Sequence, residues 1–382
     1  MARALALARV IGLAVALSAC SSEEAGKGAG TGGLGGASGG TAGASGGASG
    51  AGGGTSGAGG STVGGGGGGA SGGASGGSGG SSGGGTIGPT NTSFMPSGPI
   101  ELTSGQVVTG LHITSTSGPC IKGSNVVNVR ITDSRIGPCG PGVEGVGVQL
   151  YASHDLRIDH VAFDDVASAL YAQTDAGGKV SFDHNLVTRI RGPFPRGQMV
   201  QFDDMHGAEL VVSCNISDQT VPGYQAGPED HVSMYKSGGT AASPIDIAFN
   251  RLRGGGPSTS GSGIMTGDSG SDFIHVHDNT LVETANVGFA IAGGHDIVME
   301  QNRAFSPKNA YSNVGAYVWA QAGQTCQNNT LKGNRTNWTN KDGVSNPFWD
   351  GGNCQNTTFD GNVWGDPVLD AKIFDEPYAA CN

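Results

Sequence analysis

Charged and aromatic residues are scarce in this chain of 382 residues, with 13% Asp, Glu, Lys and Arg and 6% Phe, Trp and Tyr. Only 20 residues are Lys or Arg, and the formal net charge is −11. This charge disfavours a nucleic-acid partner, because binding the phosphate backbone requires clustered basic side chains. It also disfavours a polyanionic ligand, unless a local basic groove or a bound calcium ion reverses the sign of the field.

Several motifs are missing from the part of the chain that follows its glycine-rich segment. This part contains no phosphate-binding glycine motif, no nucleophile elbow and no zinc-finger spacing of cysteines. Helical apolar spacing and runs of helix formers are missing between its apolar segments as well. The sequence therefore argues against nucleotide-binding and α/β-hydrolase classes and favours an all-β fold.

The N-terminus has the features of an export signal. Arg3 and Arg9 precede an apolar run, Val10 to Leu17, that is too short to span a bilayer. The following Leu17-Ser18-Ala19-Cys20 resembles the bacterial lipobox, and this resemblance implies cleavage after residue 19 and acylation of Cys20. Ser21 then favours the outer membrane, and the anchored protein could face the cell surface. The alternative is an ordinary cleavage site without lipid.

The next segment, 20–86, is almost entirely Gly, Ala, Ser and Thr and holds 34 of the 73 glycines. It has no apolar period to bury, so we predict a disordered tether with a reach of roughly 45 Å. The predicted folded domain is 87–382, and we expect it to be monomeric.

Six further cysteines suggest disulfides, since the predicted compartment is oxidising. We expect Cys120 to pair with Cys139 at the N-terminal edge of the domain. Two of Cys326, Cys354 and Cys381 are expected to pair at the C-terminal end, which leaves Cys214 as the candidate for an unpaired thiol.

An apolar alternation followed by a turn residue recurs along the domain. Its copies are Val129/Ile131/Ser134, Leu156/Ile158/Val161, Val180/Phe182/Asn185, Leu210/Val212/Asn215, Ile245/Ile247/Asn250, Ile274/Val276/Asn279 and Ile297/Met299/Asn302, with weaker copies at Leu331/Asn334 and Phe359/Asn362. The third positions lie 27, 24, 30, 35, 29, 23, 32 and 28 residues apart. Alternation over a few residues predicts a strand with one buried face, and a repeat of this length predicts one coil of a solenoid.

We therefore predict an all-β, single-stranded, right-handed parallel β-helix of about 8 to 10 coils. The asparagines are expected to tolerate left-handed backbone at the turn and to hydrogen-bond from coil to coil. His160, His184 and Cys214 share the position before the turn residue, where we expect stacked interior side chains rather than zinc ligands. From about Pro96 to Trp364 the sequence resembles the parallel β-helix proteins of the pectate-lyase-like superfamily, which includes lyases, hydrolases and adhesins.

A second alternation, read as Val148/Leu150, Ala169/Tyr171, Val200/Phe202, Val232/Met234, Met265, Phe289/Ile291 and Ala316/Val318, predicts a second strand in each coil. The residues after it place Asp203, Asp204, Tyr235, Lys236 and Asp268 on one patch, with neighbours about 4.8 Å apart. The coils with these charges also have the longest loops. Those loops carry Arg189, Arg191, Arg196, Glu229, Asp230, His231, Arg251 and Arg253.

We interpret the patch as the site of a carbohydrate-active enzyme, with a solvated salt-bridge ladder as the alternative. For β-elimination from a uronate, Lys236 is the candidate base, and Tyr235 or His231 is the candidate acid. Arg251 or Arg253 would neutralise the substrate carboxylate. Asp203, Arg191 and Trp319 are candidate substrate-binding residues, and Asp204, Glu229 and Asp230 could bind calcium.

The stretch Lys236-Ser237 followed by Asn250 and Gly263 to Gly267 resembles the lysine-serine motif of the alginate lyase and chondroitinase B group. That resemblance implies a Lys base with an Arg-His-Gly on the next coil, where this chain has Thr266-Gly267-Asp268. Hydrolysis through Asp203 and Asp268 is the second expectation, and Asp203-Asp204 resembles the aspartate pair of polygalacturonase-type hydrolases. A non-catalytic glycan-binding adhesin is the third. Trp338, Trp349 and Trp364 are expected to cap the C-terminal end of the solenoid.

Overall fold

The computed structural model describes residues 86–174, 177–224 and 227–382. The predicted signal peptide 1–19, Cys20 and the predicted tether up to residue 85 lie outside these described residues. None of the helices in the described ranges has the length and hydropathy of a membrane-spanning segment.

The described residues form short strands and four single-turn 3₁₀-helices. The strands are β1 Met95–Ser97, β2 Ile100–Glu101, β3 Val107–Thr109, β4 Leu111–Ile113, β5 Ile121–Ser124, β6 Val127–Ile136, β7 Val148–Tyr151, β8 His154–Val166, β9 Leu170–Gln173, β10 Val180–Asp183, β11 Leu186–Ile190, β12 Val200–Asp203, β13 Leu210–Ser213, β14 Ile216–Asp218, β15 Asp230–Tyr235, β16 Ile245–Ala248, β17 Arg251–Arg253, β18 Ser262–Asp268, β19 Asp272–His277, β20 Thr280–Val282, β21 Val287–Ile291, β22 Gly294–Glu300, β23 Arg303–Ser306, β24 Val314–Val318, β25 Cys326–Gln327, β26 Thr330–Lys332, β27 Arg335–Trp338, β28 Phe348–Asp350, β29 Thr358–Asp360 and β30 Val363–Trp364. The 3₁₀-helices are Gly142–Glu144, Gln321–Gly323, Ala371–Asp375 and Ala379–Cys381.

These strands stack as a parallel β-helix, as the repeat predicts. One sheet, here sheet B, has ten strands in the order β2, β5, β7, β9, β12, β15, β18, β21, β24, β28. A second, 20-stranded sheet forms two faces that meet at the asparagine turn. Face A1 contains β10, β13, β16, β19 and β22, and face A2 contains β11, β14, β17, β20 and β23. Each typical coil therefore visits A1, A2 and B in turn.

The apolar positions of the repeat form the core in the predicted register. Val180 pairs with Leu156 on one side and Leu210 on the other, and Ile247 pairs with Val276. All of these side chains have 2% exposure or less. The interior is thus a stack of aliphatic and aromatic layers, whose burial is the main favourable term in folding.

The asparagine ladder of the turn is also confirmed. From Asn215 onward, each ladder asparagine accepts hydrogen bonds at Oδ1 from the main-chain N–H and the Nδ2 of the asparagine one coil before it, whereas Asn185 accepts from the N–H of Val161. Its own Nδ2 also donates to a main-chain carbonyl of the preceding coil, as Asn250 does to Val212 at 2.8 Å. The members are Asn185, Asn215, Asn250, Asn279, Asn302, Asn334 and Asn362.

The left-handed turn residue is not the asparagine, as we expected, but the residue before it. His160, His184, Cys214 and Phe249 have φ between 54° and 58°. A positive φ reverses the alternation of side chains, so these residues point away from the core, and the expectation of interior side chains is wrong. His160 and His184 stack at a ring distance of 5.2 Å, and the Sγ of Cys214 bonds to Cys381.

Three disulfides close the described domain: Cys120–Cys139, Cys214–Cys381 and Cys326–Cys354. The first and third agree with the sequence expectation, whereas the free Cys214 does not. Because Cys381 reaches back to Cys214, the C-terminal segment lies along face A2, where Phe374 and Ile373 pack on Val282. Trp338 is fully buried, and Trp364 stacks on Phe348 at 4.4 Å at the C-terminal end.

We predict that Asn250→Ala lowers the free energy of unfolding by about 4 kcal/mol, because the two buried donors of Asn215 lose their acceptor. Denaturant or thermal unfolding would measure this change. Asn91→Ala, at an exposed position, is the control and should change stability little. Equal stability of the two variants would contradict a structural role for the ladder.

Candidate functional site

The outer surface of sheet B carries the predicted patch. Its inward positions are Val148 and Leu150, then Leu170 and Ala172, then Val200 and Phe202. Reading Ala169 and Tyr171 as inward is therefore wrong by one residue, and Ile264 rather than Met265 fills the core of the fifth coil. Tyr171 and Met265 consequently lie on the outer surface, where they add an aromatic and a thioether side chain to the patch.

Asp203, Tyr235 and Asp268 form the centre of this surface as one column. Asp203 pairs in register with Tyr235, which pairs with Asp268. Ser233 pairs with Met265, so the step to the next pair, Tyr235 with Asp268, takes two residues on β15 but three on β18. The extra residue makes a bulge in β18. Gly267 makes the bulge with φ of +77°, and a Cβ there would meet the Gly293 carbonyl oxygen at 2.2 Å. The extra residue brings Asp268 into the column.

Asp203 accepts two hydrogen bonds from the neighbouring coil. Tyr171 Oη donates to Asp203 Oδ2 at 2.7 Å, and Gln173 Nε2 donates to the same oxygen at 3.2 Å. Burial and the bond to Asp203 raise the pKa of Tyr171 to about 12, so its phenol stays protonated and remains a donor. The Arg196 guanidinium lies 3.6 Å from the Tyr171 ring centroid. Asp203 is thus held by donors, with a cation close by.

Asp268 lies in a different environment two coils away. Burial raises its pKa above the usual range, and hydrogen bonds from Ser269 and the charge of Lys236 oppose this shift only in part. Lys236 is exposed, with its Nζ 5.0 Å from the Tyr235 ring centroid, and its main-chain N–H donates to the Asp268 carbonyl. Asp268 is therefore the carboxyl of the column that is suited to hold a proton.

Asp230 is a second carboxyl that favours its neutral form. It is buried at the start of β15, and its Oδ1 accepts hydrogen bonds from the N–H of Ser262 at 2.9 Å and its hydroxyl at 2.6 Å. Burial, together with the charge of Glu229, raises the pKa of Asp230 to about 7. Burial raises the pKa of the Tyr317 phenol, and the nearby carboxyls of Asp230 and Asp268 add to this shift.

His231 does not lie on the patch. It is fully buried, and its ring nitrogens contact the Ser217 hydroxyl at 2.9 Å and the Gly254 carbonyl at 2.7 Å. Burial lowers its pKa to about 4. Placing His231 as a surface acid is therefore wrong, because its imidazole is a neutral, hydrogen-bonded part of the interior.

The predicted carboxylate-binding arginines lie elsewhere in the fold. Arg251 donates to the Phe374 carbonyl at 3.2 Å, and Arg253 pairs with Asp218 and lies 4.0 Å from the Phe374 ring centroid. Both belong to β17 on face A2, which the C-terminal segment covers. Arg191 pairs with Asp165 at 2.7 Å and donates to the Cys139 and Gly140 carbonyls. Of the predicted loop arginines, Arg196 is the one that lies beside the column.

The predicted calcium ligands do not come together. Asp204 follows the end of β12, is exposed and contacts His206 at 3.3 Å. Glu229 and Asp230 lie at the start of β15, where Glu229 accepts from the Ser260 hydroxyl. Asp204 therefore lies near the C-terminal ends of these parallel strands and Asp230 near their N-terminal ends, about six residues or roughly 20 Å away. One ion cannot bind all three, because calcium holds its ligands at about 2.3 to 2.6 Å.

Aromatic side chains extend the patch on later coils. Trp319 and Trp349 lie 5.6 Å apart, and Tyr317 lies 6.2 Å from Trp349. Gly351 leaves room for Trp319, since a Cβ there would meet its ring at 2.5 Å. The expected capping role of Trp349 is corrected, because it pairs with Tyr317 on the outer surface. From Tyr151 on β7 to Trp349 on β28 the strip runs roughly 34 Å.

Two surface clefts of the described residues, of about 310 and 280 Å³, lie away from the strip, beside the N-terminal segment at Pro89 and beside the C-terminal segment at Tyr378. Comparison with protein-family models, with curated proteins and with solved structures found no match to this chain.

We predict that Asp230→Asn makes the protein less sensitive to alkaline pH. The folded pKa of Asp230 is raised to about 7 from 3.8, so its contribution to stability is complete below pH 4 and is lost as pH rises toward 7. The asparagine keeps an acceptor for Ser262 without the ionisation. From pH 4 to pH 8, the free energy of unfolding of the variant should therefore fall by up to about 4 kcal/mol less than that of the wild type. Parallel unfolding curves at both pH values would contradict this.

Proposed function

We propose that the protein is a carbohydrate-active enzyme that binds a polysaccharide along sheet B and cleaves it by inverting hydrolysis. The observation that carries the proposal is the Asp203–Tyr235–Asp268 column, with two carboxyls in register two strands apart. Two strand spacings separate the two backbones by roughly 9.6 Å, just above the upper limit of about 9.5 Å for the carboxyl pair of inverting enzymes, so a slight lean of the two side chains toward each other is required.

The two carboxyls differ as acid and base must. Asp268, whose pKa burial raises, would donate its proton to the glycosidic oxygen as the C1–O bond breaks. Asp203, which accepts from Tyr171 and Gln173, would take a proton from the water that attacks C1 on the opposite face of the sugar. The Tyr235 ring, between them, would support the sugar. Tyr317, Trp319 and Trp349 would stack further sugars through their apolar faces.

Elimination is the second candidate, and the position of Lys236 favours it. Lys236 lies beside Tyr235, and Arg196 contacts the Tyr171 ring on β9, two strands away from Tyr235. A base, a phenol and a cation are the groups that β-elimination from a uronate requires. The likeness to the pectate-lyase-like superfamily also remains a proposal, and it is compatible with either reaction.

The first test is activity of the full chain on alginate, polygalacturonate, chondroitin sulfate, xylan and galactan, each with calcium and with chelator. Hydrolysis produces new reducing ends without absorbance at about 235 nm, and the first product has inverted anomeric configuration. We expect Asp203→Asn and Asp268→Asn each to lower kcat by about 10² to 10⁴. Asp342→Asn, on an exposed loop, is the matched control and should leave the rate unchanged.

Other outcomes of the same assay separate the alternatives. Reducing ends that appear with absorbance at 235 nm, abolished by Lys236→Ala, would replace hydrolysis by elimination. Substrate binding without either product would indicate a glycan-binding protein.

We also propose that the protein is exported and attached to the outer membrane through an acylated Cys20. The disulfides of the described domain support export, because such bonds persist in oxidising compartments. Cys20→Ser should move the protein from the membrane fraction to the soluble fraction of cells, whereas Cys214→Ser should not. A membrane-bound Cys20→Ser protein would contradict lipidation.

A further inference from the structure

Face A1 carries a cluster of imidazoles and carboxylates that neither the proposed catalytic column nor the core uses. Asp246 lies on β16, and His275 and His277 lie on β19 of the next coil. One ligand atom from each of these residues lies within 4.8 Å of the ligand atoms of the other two. We propose that Asp246, His275 and His277 bind a divalent transition-metal ion of the Zn²⁺ class.

The strand register produces this arrangement. Ile274 and Val276 face the core, so the alternating His275 and His277 share the outer surface, with ring centroids 4.3 Å apart. Asp246 pairs in register with His275, and its Oδ1 contacts His277 Nε2 at 3.0 Å. All three side chains are partly exposed, so an ion can reach them.

The distances require only small adjustments. Ligands held about 2.0 to 2.2 Å from tetrahedral zinc are roughly 3.4 Å from one another. The Asp246–His277 contact is already shorter than this, and small shifts of the three partly exposed side chains would close the remaining gaps, which are at most 4.8 Å.

Neighbouring carboxylates orient both imidazoles. Asp278 Oδ2 lies 3.0 Å from His277 Nδ1, which leaves Nε2 toward Asp246. Glu300 Oε1 lies 2.9 Å from His275 Nε2, which leaves Nδ1 as the ligand atom. Such carboxylate–histidine pairs are the usual support of zinc ligands, because they fix the ring and raise its basicity. Phe249 closes one side, with its ring 5.3 Å from His277.

The ligand types select the class of metal. Two imidazoles and one carboxylate suit Zn²⁺, Ni²⁺ or Cu²⁺, whereas Ca²⁺ and Mg²⁺ require oxygen ligands throughout. Because the ligands come from adjacent coils, the ion would link β16 to β19 and stabilise the folded chain by mass action.

Titration calorimetry of the untagged full chain with Zn²⁺ tests the site. We expect one ion per chain, no comparable binding of Mg²⁺ or Ca²⁺, and a rise in the unfolding temperature. His277→Ala should weaken Zn²⁺ binding more than about 100-fold, and Asp278→Asn about 10-fold. His295→Ala is the matched control, since His295 lies on the same face, pairs with Asp272 and Asp296, and is outside the cluster.

Zn²⁺ X-ray absorption of the wild type gives a readout that does not depend on how the variants fold. Two imidazoles and oxygen in the coordination shell would support the assignment. No stoichiometric binding, equal loss in His295→Ala, or a shell without two imidazoles would overturn it. This site is independent of the proposed hydrolysis, so the activity of Asp203 and Asp268 does not enter the test.

Discussion

Coil-to-coil register is the constraint on which the rest of this molecule depends, and the buried asparagine ladder holds it. A parallel sheet of short strands can slip, since its aliphatic layers tolerate a shift by two residues almost as well as the correct pairing. An amide that must both accept from the coil before it and donate to that coil's carbonyl fits at one register only. A misaligned coil would leave several buried polar groups without partners, at about 1 to 3 kcal/mol each.

The same register aligns the residues of both candidate sites on the outer surface. Asp203, Tyr235 and Asp268 form a column only because their strands are aligned, and the bulge at Gly267 corrects the alignment where β18 is one residue longer than β15. On face A1, the pairing of Asp246 with His275 depends on the same stacking. Both candidate sites therefore lie on rigid strands, which hold functional groups more accurately than loops do.

The sequence predicts the parts of this structure that repeat and fails where one element covers another. The core layers, the ladder and the pairing of Asp203 with Tyr235 follow from the repeat, whereas Asp268 joins them through a bulge at Gly267 that alternation does not predict. Arg251 and Arg253 could not be placed, because the C-terminal segment that covers them is held by Cys214–Cys381, a pairing across 167 residues. His231 was misplaced because a buried histidine with two partners has no signature in sequence. The repeat could also have predicted the proposed metal site on face A1. His275 and His277 are two residues apart on one strand, and the repeat aligns that strand with the one that carries Asp246.

The charges near the candidate site bear on which class of polysaccharide could bind there. Asp203 and Asp268 belong to a chain with a net charge of −11, and beside their column the described residues place Arg196 and Lys236. Arg196 is already engaged with the Tyr171 ring and the Gln201 amide. A uronate polymer would bring many carboxylates to this strip and be repelled, unless cations accompany it. A neutral polysaccharide has no such cost, and it also lacks the carboxylate that acidifies the proton removed in elimination. If the proposed hydrolysis is correct, the shortage of free cations beside the carboxyl pair makes a neutral glycan the better substrate.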